Sequence, residues 1–145
     1  MAYTITVSPD GAFIVITVTG SLTAELAASF SPEANALSRS LGIRNVLMDV
    51  TAAVNSDETY QSYDFAYRSL PRLSDPQAPL RVVAVVRPED RSHDFVVLAM
   101  RNAGFNMEIF RDRAAAEIRL REPQTPPSES QPGETPPFYS FGEDD

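Results

Sequence analysis

The sequence predicts an α/β domain: a mixed five-stranded sheet, mostly parallel with one antiparallel edge strand, covered by four helices. Three observations predict it. Short β-branched runs alternate with segments of helical period, which is the pattern of a sheet covered by helices. Two strand-like runs at the start are joined only by a turn. A nearly uninterrupted apolar run, LRVVAVV at 80–86, suits a strand covered on both faces.

The opening YTITV, residues 3–7, alternates apolar residues with Thr. SPDG follows; Pro9 presets φ and Gly11 permits positive φ, so a turn is expected. AFIVITV, residues 12–18, completes a hairpin, and Gly20-Ser21 is expected to end the sheet run. Leu22, Leu26, Phe30, Ala34, Leu37 and Leu41 then recur at three and four, one face of a helix that Gly42 closes. Pro32 removes an N–H and crowds Ala28, so a kink or break is expected near residue 31. IRNVLMDV, 43–50, is read as a central strand and 57–70 as a second helix. Residues 80–86 form the next strand. A third helix follows, with Phe95, Leu98, Ala99 and Asn102 on one face and Gly104 at its end. FNMEIF, 105–110, is the last strand and 112–120 a closing helix.

Composition bounds the function. The 145 residues make one domain, 1–120, and a tail, 121–145. No cysteine is present, so disulfides and thiol chemistry are excluded. All basic residues are arginine and the net charge is −8. The tail carries one Arg and six acids, a net of −5; residues 1–120 carry eleven Arg and fourteen acids, a net of −3. Neither has the basic stripe that nucleic acid demands. No run is long enough for a membrane helix, and MAYTITVSPDG lacks the pattern of a signal peptide. A cytoplasmic protein is expected, with no membrane insertion. No nucleotide-cradling or nucleophile-elbow motif occurs, and no cofactor is expected.

Three stretches attract functional readings. In VLMDVTAAVNSDETY, Asn55 stands three residues before Glu58, the spacing of a capping box. Asp57 and Glu58 would then lie in a helix's first turn, where its dipole favours acids. Ser56 and Thr59 are nearby hydroxyls. Tyr60, Tyr63 and Tyr67 recur at three and four; they suit packing on the sheet, a ligand pocket or a partner surface. The only histidine, His93, lies between Asp90 and Asp94. It could act as a base or metal ligand, but it has no second ligand or nucleophile pattern, so no metal site is expected. The plainer reading is that Asp90 or Ser92 caps the third helix. The loops after two parallel strands should share the carboxyl edge of the sheet, where ligands of open α/β sheets sit. A pocket there would be lined by Thr51, Asn55, Arg87, Ser92 and His93. In the tail, REPQTPPSESQPGETPP has six prolines and is expected to be disordered. FYSFGEDD ends it, either an incidental terminus or a docking motif of Phe138, Tyr139 and Phe141.

The strand order and the Asp49-Val50-Thr51 strand end resemble the STAS domain, the sandwich fold of bacterial anti-sigma factor antagonists. In that family a strand ending in Asp-Leu-Ser leads to an Asp-Ser-Ser-Gly helix start, whose serine is phosphorylated by a partner kinase. Aligned without gaps, Asp57 falls on the Asp, Glu58 on the switch Ser, Thr59 on the second Ser and Tyr60 on the Gly. Glu58 thus puts a permanent carboxylate where the family puts a removable phosphate. YTITVSPDGAFIVITVTGSLT, LGIRNVLMDVT and DRSHDFVVLAMRNAGFNMEIFRD resemble more closely the bacterial STAS-like proteins grouped with CRAL-TRIO lipid-binding domains. That resemblance implies a fold, not a reaction. The function expected is a non-enzymatic regulatory, signalling or protein-interaction module. It would use the second helix and the loop before it, with a protein partner. The alternative is a carrier of a small apolar or amphipathic ligand beneath the aromatic helix.

Overall fold

A computed structural model describes residues 2–56, 61, 64–69 and 79–123. Five strands form one sheet in the order β1-β2-β3-β4-β5: Tyr3–Val7, Ile14–Leu22, Asn45–Asn55, Arg81–Val85 and Asn106–Phe110. β1 is antiparallel to β2; the other neighbours are parallel. The hairpin and the antiparallel edge strand are therefore as expected. Helices α1 (Ala24–Leu41), α2 (Asp94–Asn102) and α3 (Arg113–Arg121) cover the sheet.

The helix count differs from expectation. Where a second helix is expected at 57–70, the described residues Gln61 and Asp64 are helical and Phe65–Ser69 form a π-helical turn. Three α-helices, not four, are thus present among the described residues. A π turn closes its bonds at i+5 and adds a residue to the turn, so a 3.6-residue period does not foretell it. Phe65 from this turn is buried in the core.

Strands laid side by side in chain order need crossovers of one hand, which put their connections on one face. That face holds the larger core. Ile14, Ile16, Val18, Val46, Met48, Val50, Ala84 and Met107 from the strands meet Ala27, Phe30, Ala34, Phe65, Val97 and Met100. α3 covers the other face. Its Ala116 and Leu120 seal Phe13, Val15, Leu47, Val83 and Val85. Arg81, only 3% exposed, fastens the far end of α3 by donating to the Leu120 carbonyl at 3.0 Å and the Glu122 carbonyl at 2.5 Å. A cation suits a helix carboxyl end.

Local chemistry explains where the chain departs from its sequence pattern. α1 runs without interruption through Pro32 rather than breaking near 31. The Thr23 hydroxyl caps its start by accepting from the Leu26 N–H at 3.1 Å. Gly42, at φ 70°, stops it as expected. Phe30 before the proline and Ala34 after it are buried in the same core, and that burial offsets the bond Pro32 omits. β2 does not end at Gly20-Ser21. It runs on to Leu22, with Gly20 at φ 84° paired to Ala53, a conformation glycine adopts without steric cost.

The same stretch of β3 carries a bulge. Thr17 pairs with Asp49 and Thr19 with Ala52, so three steps along β3 match two along β2. The extra residue reverses the side-chain alternation. Val50 and Ala53, three apart, both face the larger core with no exposure.

Candidate functional site

β3 runs eleven residues, but β4 accompanies it only from Asn45 to Asp49. Beyond Asp49 it continues beside β2 alone, as far as Asn55. Its backbone groups on the β4 side then need other partners, because a buried, unpaired amide or carbonyl costs about 1–3 kcal/mol. The loop from β4 to α2 supplies them. Arg87 Nη1 donates to the Thr51 carbonyl at 2.9 Å. His93 Nε2 lies 3.3 Å from the Ala53 carbonyl. The Asn55 N–H donates to Ser92 Oγ at 3.0 Å. Residues 51, 53 and 55 are two apart, so their outward groups lie on one edge. Three side chains thus replace the missing length of β4.

The chemistry of each rung follows. A carbonyl only accepts, so His93 Nε2 carries the proton. The His93 side chain is 2% exposed, and Asp90 Oδ2 lies 3.4 Å from the same nitrogen. Asp90 Oδ1 accepts the Ser92 N–H at 2.8 Å, and that bond leads in holding the Asp90 carboxyl below the usual carboxylate range. Oδ2 has no hydrogen-bond partner among the described residues; Arg87 Nη2 stands 3.8 Å away. Arg111, just beyond β5, binds the loop from outside. It donates to the Arg87 and Asp90 carbonyls at 3.3 and 3.1 Å and to Asp94 Oδ1 at 3.2 Å.

The residues expected to line a pocket, Thr51, Asn55, Arg87, Ser92 and His93, are therefore brought together. They meet as a latch between the loop after β4 and the extended end of β3, which runs through residues 51–55 where a loop is expected, and they use backbone groups that a ligand would otherwise use. The expected cap does not form. His93 takes the N-cap position of α2 without a side-chain cap bond, while Asp90 and Ser92 are spent on the loop and on β3. Among the described residues, no group of three or more His, Asp or Glu is placed to hold a metal. No helix of the described residues is long and apolar enough to cross a membrane.

Asp49, the last residue of β3 paired with β4, is engaged on the other face of the sheet. Its Oδ1 accepts from the Thr51 N–H and hydroxyl at 3.0 and 2.7 Å, and its Oδ2 from Arg113 Nη1 at 3.0 Å. Ser56 follows β3, exposed. Asp57, Glu58, Thr59, Tyr60 and Tyr63 lie outside the described residues, as do Phe138, Tyr139 and Phe141 and the rest of the tail beyond 123. Tyr67 sits in the π turn, 40% exposed.

α2 presents what the sequence reading missed. The sequence pattern places Phe95 and Leu98 on one face with Ala99 and Asn102. The helix instead buries Val97, Ala99 and Met100 and leaves Phe95 and Leu98 exposed by 41% and 54%. A helix with apolar residues on both sides shows no single face in its sequence. α2 packs against the π turn, so these two side chains and Tyr67 lie on adjoining elements. Arg111 was also missed: its role depends on β5 ending beside the β4 loop, which no local spacing reports. No protein-family model matches the chain, and no curated protein matches it.

Proposed function

We propose that this is a STAS-like, non-enzymatic interaction module whose docking surface spans the outer side of α2 and the adjoining π turn. One contrast carries the reading. The polar groups at the carboxyl edge, where chemistry would be expected, are taken up by the fold's own backbone. On the neighbouring elements Phe95, Leu98 and Tyr67 stand exposed. A site that acts on a small molecule keeps convergent polar groups open, whereas a protein interface presents aromatic and aliphatic anchors within a polar rim. Arg91, Asp94 and Arg101 provide such a rim on and beside α2.

The test is native mass spectrometry of the protein purified gently from its own host, alongside a Phe95→Glu/Leu98→Glu variant. A protein partner present with the wild type and lost from a folded variant is the expected result. A co-purifying small mass, retained by the variant, would refute this reading and move the protein to the carrier class.

A further inference from the structure

The two edges of the sheet are not alike. β5 carries Glu108, which Arg119 grips at 2.9 and 3.1 Å, so charge guards that edge. β1 reads Tyr-Thr-Ile-Thr-Val, with no charge and no proline. Among the described residues β1 has no neighbour on its outer side, and its open amides can be identified. The Thr19 N–H donates to the Ala2 carbonyl and the Ser8 N–H to the Phe13 carbonyl, both at 2.9 Å. Antiparallel pairs alternate between bonded and non-bonded, so Thr4 and Thr6 also bond inward to β2. Tyr3, Ile5 and Val7 must then direct their N–H and C=O groups outward, away from the sheet.

We propose that β1 is a self-association edge, on which a second copy of the chain pairs its own β1 antiparallel about a two-fold axis at Ile5. The register is self-complementary. Ile5 meets Ile5 of the second copy, Tyr3 meets Val7 and Thr4 meets Thr6, so apolar faces apolar and hydroxyl faces hydroxyl. The same register places the outward-bonding residues 3, 5 and 7 opposite one another, which lets every free amide of the strand find a carbonyl. Two copies of a chain with net charge −8 repel each other, and β1 itself adds no charge to that repulsion. β1 is also held ready. The Tyr3 hydroxyl bonds to Glu33 of α1, and its ring meets Phe30 edge-on at 5.5 Å. Val7, 37% exposed at the strand end, would be covered by the second copy's Tyr3. Two five-residue strands bury less than the roughly 1,200–2,000 Å² of a stable complex, so the association is reversible and concentration dependent.

Sedimentation equilibrium of the full chain across roughly 1 µM to 1 mM tests this over the range of weak association. The expected mass rises with concentration from one chain towards two. Val7→Pro removes an outward N–H and no ladder bond to β2, a position where an edge strand accepts proline. It should stay folded and sediment as a single chain throughout. An independent measurement uses Thr4→Cys/Thr6→Cys, since the chain has no cysteine of its own. The non-bonded pair brings positions 4 and 6 of two copies to about 4.5 Å between Cα atoms, within disulfide reach, whereas residues two apart on one strand cannot bridge. Mild oxidation should give a covalent dimer linked between 4 and 6. A single-chain mass at every concentration with no such link would overturn the proposal. So would a dimer that survives Val7→Pro and forms no link between 4 and 6.

Discussion

His93→Ala separates a structural histidine from a functional one. The imidazole is 2% exposed and forms the middle rung between the β4 loop and β3. Truncation leaves a cavity where the ring packed, about 2–3 kcal/mol on the scale of large-to-small core changes. It also strips the Ala53 carbonyl of the one side-chain donor it has among the described residues, which adds about 1–2 kcal/mol for a buried unpaired acceptor. The sum is about 3–5 kcal/mol. For a domain of this size each kcal/mol lowers Tm by roughly 3–5 °C, so a fall of about 9–25 °C is expected. Ser92→Ala, the partly exposed outer rung, should cost only about 1 kcal/mol. Urea denaturation of the two variants and the wild type measures both losses, and hydrogen exchange at the Asn55 amide reports the latch directly. If His93→Ala loses less than about 1 kcal/mol, or no more than Ser92→Ala, the latch argument fails. If such a stable variant also lost its co-purifying partner, His93 would belong to the binding surface instead.

Two further predictions rest on the same reasoning. Arg81→Met keeps the aliphatic stem but removes three bonds, to Asn45 Oδ1 and the carbonyls of Leu120 and Glu122. Relief of the buried charge offsets part of that loss, leaving about 2–3 kcal/mol of destabilisation; faster hydrogen exchange confined to α3 would show where it acts, and an unchanged denaturation midpoint would refute it. The carboxyls of Asp10 and Asp90 are both held below their usual range. For Asp10 the bond from Arg121 leads, and for Asp90 the Ser92 N–H. A lowered folded-state value means that stability is fully present above the unfolded carboxylate value of about 3.9 and is lost as pH falls through the folded one. Denaturation midpoints should therefore drop below about pH 4, and Asp90→Asn should flatten that fall; an identical acid slope in the variant would contradict the assignment.

What the sequence determined was local. The hairpin of β1 and β2, the apolar strand β4, the stop at Gly42 and the alternating order of elements follow from side-chain period and turn chemistry, each expressed within a few residues. Tertiary structure decided the rest. It carried α1 through Pro32, because burial of Phe30 and Ala34 on either side outweighs one missing bond. It ran β2 through Gly20 and put a bulge into β3, because pairing with a neighbour sets strand length and register. Thr51, Asn55, Arg87, Ser92 and His93 were legible as neighbours on one sheet edge. Their use was not, because it depends on β4 stopping short of β3, a fact of pairing between distant segments. The exposure of Phe95 and Leu98 was hidden for the same reason. A helix apolar on two sides cannot announce which side the core will claim, and only the packing of α2 against the sheet and the π turn made that choice.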